Sequence, residues 1–170
     1  MSAGVLVACI GNIFLGDDGF GFEVAQAMAG STLPAGVELV DYGIRGLDLA
    51  YALLRPWQAV IIVDAIGRGG APGTLYLVEA AEEQMQEAGQ GIDPHAMDPV
   101  RVLSTARSLG EVGASIYIVG CEPQDFGEEP EGRMGLSPPV ALAVPEAARM
   151  VLELAEKLAN AAASTPECAA

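Results

Sequence analysis

Val5 to Ile10 is an unbroken apolar run, and Ala59 to Val63 is a second one, largely β-branched. Apolar runs of that length without polar alternation suit strands covered on both faces, as in the interior of a parallel sheet. Ala114 to Gly120 reads the same way, and Val37 to Asp41 alternates loosely as a further strand. Between these strands the apolar period lengthens to that of helices: Phe22 to Ala29, Leu47 to Leu54 (stopped before Pro56), and Ala96 to Leu109. Met97, Val100, Val102, Leu103, Ala106 and Leu109 mark the third of these, and Pro99 suits its first turn. A final helix is expected from about Pro138 to Ala161 after a Ser137 cap. Thr74 to Val78 follows the Ala59 strand across a short Gly-rich turn, close enough to pair with it as a hairpin edge and with no room for a crossover helix, so it is expected to run antiparallel.

The order βαβαββαβα predicts an α/β fold in three layers. One domain spans residues 1–161: a mostly parallel five-stranded sheet with one antiparallel edge strand and helices on both faces. Residues 162–170 read as a flexible tail, and residues 80–94, acidic and then patternless around Gly89-Gln90-Gly91, as a mobile segment. The parallel strands share a carboxyl edge. Asn12, Asp17 and Asp18 fall there after the first strand, Asp64 after the third and Cys121 after the last.

The chain is organised around Gly11-Asn12-Ile13-Phe14-Leu15-Gly16-Asp17-Asp18-Gly19-Phe20-Gly21, a strand-to-helix turn of the kind that holds ligands in open α/β sheets. A dinucleotide site would present bare backbone amides to a pyrophosphate, whereas this turn carries two adjacent carboxylates. A cation fits it better than a phosphate. Asp is also a favoured helix cap, so of Asp17 and Asp18 one is expected to cap and one to bind.

Charge narrows the partners. Eight basic residues against 23 acidic ones give a formal net charge of −15, which repels nucleic acid and anionic membranes. Hydrophobic residues make up 51% of 170, enough to fill one core. Cys9, Cys121 and Cys168 lie far apart without metal or redox spacing, which suits reduced thiols in a cytoplasmic protein. The N-terminus lacks a basic region before its apolar run, so no secretory signal is expected, and no stretch has the length of a membrane span.

Asp64 ends a buried strand at the ligand edge, and His95 is the only histidine. Two carboxylates and one imidazole make an O, O, N set suited to a borderline divalent ion such as nickel, zinc or iron. On the residues alone the reading is a metal-binding α/β domain of hydrolytic type. Cys121 with His95 keeps a thiol hydrolase open as an alternative, against the simpler role of a small buried apolar residue. Arg45, in a Gly-flanked loop, either pairs with a substrate carboxylate or stands as a solvated charge. Asn12, Gly43 and Arg45 are the candidates for substrate contact.

The glycine-rich turn resembles the G-N-x-x-x-x-D-[DE]-x-x-G signature of the hydrogenase maturation endopeptidases. The likeness continues through Asp41-Tyr42-Gly43, Gly46-Leu47, Asp64-Ala65, Pro72-Gly73-Thr74, His95, Gly120 to Pro123 and Gly135-Leu136-Ser137-Pro138, in order along nearly the whole chain. The resemblance implies that Asp18, Asp64 and His95 are metal ligands, with Asp18, Asp64 or Asp17 assisting hydrolysis. It also implies that the nickel is supplied by the substrate, the precursor of a nickel-iron hydrogenase large subunit, whose C-terminal extension is removed. Zinc or cadmium would then occupy the site in vitro. A monomer that forms a transient complex is expected, and a non-catalytic metal-binding maturation factor is the alternative. The family's D-G-G-T-x-G loop reads Asp41-Tyr42-Gly43-Ile44-Arg45-Gly46 here, a departure that bears on the type of hydrogenase.

Overall fold

A computed structural model describes residues 4–80, 98–127 and 132–164. The five strands are β1 (Val5–Ile10), β2 (Val37–Gly43), β3 (Ala59–Ala65), β4 (Leu75–Glu79) and β5 (Ser115–Cys121). Among the described residues the helices are α1 (Phe20–Met28), α2 (Gly46–Ala52), α3 (Pro99–Leu109) and α4 (Pro138–Ala163), and a 3-10 turn, Gly16–Gly19, leads into α1. The sheet order is β2-β1-β3-β5-β4, parallel throughout except for β4, which pairs antiparallel to β5 with Leu75 opposite Cys121; the expected hairpin of β4 with β3 does not form, because β5 lies between them.

Of the three runs expected to be covered on both faces, β1 and β3 are buried along their whole length, whereas β5 is only partly so, with Ser115 exposed and Tyr117 and Ile118 half-buried beside the edge strand β4. β1 and β3 pair with each other from Val5 opposite Ala59 to Cys9 opposite Val63. Their alternate side chains serve two different layers. Val5, Val7 and Cys9 meet Phe20, Val24 and Met28 of α1 and Val140, Ala147 and Val151 of α4. Leu6, Ala8 and Ile10 meet Leu49 and Leu53 beside α2, and Val102, Leu103 and Ala106 of α3. Edge strands β2 and β4 carry the half-exposed pattern, with Glu38, Leu77 and Glu79 toward solvent.

The boundaries move where tertiary packing adds to local preference. β3 extends through Asp64 to Ala65 because β5 pairs with it that far, Ala65 opposite Cys121. α1 starts earlier than the apolar spacing indicates, since the 3-10 turn feeds Phe20 directly into the core. α3 starts at Pro99 with Asp98 as its cap, the Asp98 carboxylate accepting from the Val100 amide at 2.8 Å. α4 continues to Ala163, past the expected end at Ala161. Residues 80–94, apart from Ala80, and residues 165–170 of the expected tail lie outside the described residues. Among the described residues no helix is long and apolar enough to cross a membrane.

β1 is followed in the chain by β2 on one side and flanked by β3 on the other, so the strand order reverses there and a crevice opens at the carboxyl ends of β1 and β3. Gly21 lets α1 sit close to that junction: a Cβ at this position would lie 2.3 Å from the Ile10 carbonyl oxygen and 2.8 Å from that of Val63. Gly21→Ala is therefore expected to destabilise by roughly 3 kcal/mol or more, against the ~1 kcal/mol gain that Ala brings to an unconstrained helix position. A urea midpoint at or above that of the wild type would refute the close-packing account.

Candidate active site

The turn after β1 folds on itself before it reaches α1. Asn12 Oδ1 accepts from the Phe14 amide at 2.9 Å, and the Asn12 carbonyl accepts from the Leu15 amide at 3.1 Å. These bonds make an Asx-type turn. The Asn12 amide is left to donate to Asp18 Oδ2 at 2.9 Å. Gly11 supplies a positive φ of 134° and the space: a Cβ there would lie 1.9 Å from the Asp18 carbonyl oxygen. The Gly11 amide donates to the Gly43 carbonyl at 3.0 Å, tying the end of β1 to the end of β2.

Asp64 reaches the same place from β3. It is 2% exposed, and strand alternation puts it on the side of Val60 and Ile62, facing α2 and α3. Its Oδ1 accepts from the Ala65 amide at 2.8 Å. A Cβ on Gly11 would come within 3.8 Å of that same oxygen, so the missing side chain opens the floor between the two carboxylates.

Electrostatics mark the pair. Burial pushes the Asp64 carboxyl well above its usual range, and the negative charges of Asp18 and Asp98 push it further, against the opposing Ala65 amide. Burial also raises Asp18, opposed by the Asn12 amide. Two acids that resist ionisation side by side in a low dielectric favour either a shared proton or a bound cation. The donor set fits a divalent ion in charge and ligand type. Asp18 and Asp64 are two carboxylates of that type; among the described residues no group of three His, Cys, Asp or Glu converges. His95, the expected third, lies outside the described residues.

Asp17 does something different from its neighbour. It is fully buried, with Oδ2 accepting from the amides of Gln124 at 2.7 Å and Asp125 at 3.1 Å and from the Ser137 hydroxyl at 2.8 Å. Its Oδ1 accepts from the Ser137 amide at 2.7 Å. It caps no helix of its own. The expected cap within the Asp17–Asp18 pair is corrected accordingly: α1 has Gly19 at its cap position with no side-chain bond. Ser137 does stand at the cap position of α4, but its hydroxyl goes to Asp17 instead of the helix amides.

The three candidates for substrate contact are shapers of the edge. Asn12 sets the turn. Gly43, at φ 55°, takes its amide to Asp41 Oδ1 at 3.0 Å and gives its carbonyl to Gly11. Arg45 is folded back onto its own loop, donating to the carbonyls of Asp41 at 2.7 Å and Tyr42 at 3.2 Å and pairing with Asp48 at 3.5 Å. Cys121 is fully buried on the α1 and α4 side of the sheet, and its thiol is pushed up to about 12 by burial and by the nearby Asp17 and Glu122. A thiol so held is not an available nucleophile.

One residue at this edge escaped the sequence reading. Glu122 is 7% exposed and accepts from the Arg68 amide at 2.7 Å, the Gly69 amide at 3.2 Å and the Tyr76 hydroxyl at 2.8 Å. Those donors, the Arg68 amide foremost, hold its carboxyl below the usual range. Its signal in the sequence is a lone carboxylate directly after a buried strand, opposite a glycine-rich loop. It orders that loop beside the crevice.

The fold is a three-layer α/β domain whose switch point, where open α/β sheets hold ligands, carries the buried Asp64 and the half-buried Asp18. The hydrogenase maturation protease family matches residues 22–154, and this chain belongs to that family and is a hydrolase of the endopeptidase type. It is 29% identical over 149 residues to the hydrogenase 2 maturation protease of Escherichia coli, covering 87% of this chain and 88% of that protein. It is 30% identical over 158 residues to the coenzyme F420 hydrogenase subunit delta of Methanothermobacter thermautotrophicus, covering 89% and 94%. In structure it superposes on the hydrogenase maturating endopeptidase HybD from E. coli with a TM-score of 0.75 at 31% identity, over 91% of this chain and 93% of that one.

Proposed function

We propose that this endopeptidase removes a C-terminal extension from the nickel-loaded precursor of a nickel-iron hydrogenase large subunit, with the nickel arriving as part of the substrate. The observation that carries the reading is the Asp18 and Asp64 pair: a buried carboxyl and a half-buried one, each raised by desolvation, that a divalent cation would stabilise in their charged form. Asp18 and Asp64 would ligate the substrate's nickel together with His95, as the family resemblance implies, and zinc or cadmium would fill the same positions in vitro. With the metal as recognition element, one of the two carboxylates takes the proton from the attacking water, an aspartyl rather than a thiol hydrolysis. Asp17, bonded four times within the fold, supports the site without joining it. Asn12 and Gly43 act through backbone geometry, and Arg45 through the loop it braces. The protein works in the cytoplasm as a monomer that meets its precursor transiently.

The test weighs the products after incubation with nickel-loaded and metal-free precursor. A C-terminal fragment released only from the loaded sample is expected, at a rate that Cys121→Ala leaves within about twofold, because a small buried thiol contributes packing only. Cleavage of the metal-free precursor at the same rate would remove nickel as the recognition element. Loss of cleavage in folded Cys121→Ala would revive the thiol mechanism, and binding without cleavage would favour a non-catalytic maturation factor.

A further inference from the structure

Eight large apolar side chains are exposed among the described residues, and four of them lie at the carboxyl edge around the carboxylate pair: Phe14 (59%), Ile44 (66%), Leu47 (57%) and Met134 (67%). They form two pairs. Phe14 and Met134 lie on paired backbone segments, where the Arg133 amide donates to the Phe14 carbonyl at 2.8 Å and Leu15 bridges Arg133. Ile44 and Leu47 flank the start of α2, joined by the Gly46 amide bonding to the Ile44 carbonyl at 2.9 Å. The Gly11 amide bonds to the Gly43 carbonyl, joining the turn that carries Phe14 to the strand end that precedes Ile44, and Gly11 lies beside Asp64. Of the other four, Tyr51 stands one turn on from Leu47 along α2, while Leu77, Leu109 and Leu142 lie on β4, α3 and α4.

We propose that these four side chains are the docking surface for the precursor, gripping apolar residues of its C-terminal segment on both sides of the bond presented to Asp18 and Asp64. The proposal rests on the function proposed above and names what the partner must offer. Two observations decide its chemistry. Both guanidiniums in this surface are engaged within the fold: Arg45 pairs with Asp48 and donates to two carbonyls, and Arg133 pairs with Asp125 at 2.7 Å. The surface thus has little free positive charge to offer an acidic peptide, and recognition falls to apolar contact. The exposed area of four such side chains is on the order of 500 Å². That is below the ~800 Å² per partner of a stable complex, so it suits a passing polypeptide better than a second copy of this chain.

Binding and cleavage are measured separately with the cognate nickel-loaded precursor, using Ile44→Ser, Met134→Ser and their double variant, with Leu142→Ser, 81% exposed on α4, as control. Each single variant is expected to weaken precursor binding about tenfold, or about 1.4 kcal/mol. KM should rise to match with kcat within twofold, the double variant should lose about a hundredfold, and Leu142→Ser should bind normally. A double variant that binds as the wild type does, or a Leu142→Ser loss of the same size, overturns the docking surface. So does a wild-type dimer in sedimentation velocity that Ile44→Ser or Met134→Ser dissociates, because a second copy would then be the occupant. If the wild type binds the precursor without cleaving it and the variants lose binding, the docking surface stands and the endopeptidase reading falls. Failure of the wild type to bind the precursor removes the docking surface itself.

Discussion

Asp64→Asn is expected to abolish precursor cleavage, at least about a thousandfold, and to make the protein more stable. The loss follows from removing a group that serves both the cation and the proton transfer, each worth ~10²-fold or more. The gain follows from burial. In the folded state the Asp64 carboxyl is held well above its usual range by desolvation first and the Asp18 charge second, so its ionised form is disfavoured there relative to the unfolded chain. Below the ordinary carboxylate range both states are protonated and the residue is neutral in effect. As pH rises from there toward the raised folded-state value, the unfolded chain gives up a proton that the folded one keeps, and stability falls. Asparagine keeps the acceptor for the Ala65 amide and never ionises. At pH 7 the variant should gain about 1–3 kcal/mol, a rise of several degrees in Tm. The difference from wild type should shrink on acidification. Equal stability of the two proteins at pH 7 would show that the carboxylate is already compensated within the fold, and the argument for a cation would lose its basis.

Asp17→Ala is expected to do the reverse: to damage the fold while leaving the chemistry of the surviving molecules alone. Its four acceptor bonds fasten three places far apart in the chain, the turn after β1, the segment after β5 and the start of α4. Removing the carboxylate strands three backbone amides in a buried site, each costing ~1–3 kcal/mol. A loss of roughly 4 kcal/mol or more is a large share of the 5–15 kcal/mol typical of a domain. Urea unfolding and activity per folded molecule separate the two roles. A normal midpoint with no activity would place Asp17 in the catalytic machinery with Asp18.

The sheet was legible because burial on both faces leaves an unbroken apolar run, as in Val5 to Ile10 and Ala59 to Val63, while the edge strands keep polar positions. The antiparallel β4 was legible because a short turn cannot accommodate a crossover. The turn of glycines and acids was legible as a ligand site, since strand ends and helix starts place it at the carboxyl edge.

Which acid binds and which holds was decided only by tertiary structure. Asp17 and Asp18 differ by one position in a 3-10 turn, where consecutive side chains diverge by about 120°. One therefore turns toward Asn12 and Asp64, and the other toward partners 107 to 120 positions away in sequence. The same holds for Glu122, whose loop lies more than 50 positions upstream, and for Arg45, whose charge is spent on its own loop. The sequence by itself determined the sheet, its carboxyl edge and the acids that stand there, because those follow from local periodicity and chain connectivity. The division of labour among the acids required the fold, because it depends on which distant amides and carboxylates each side chain meets once buried.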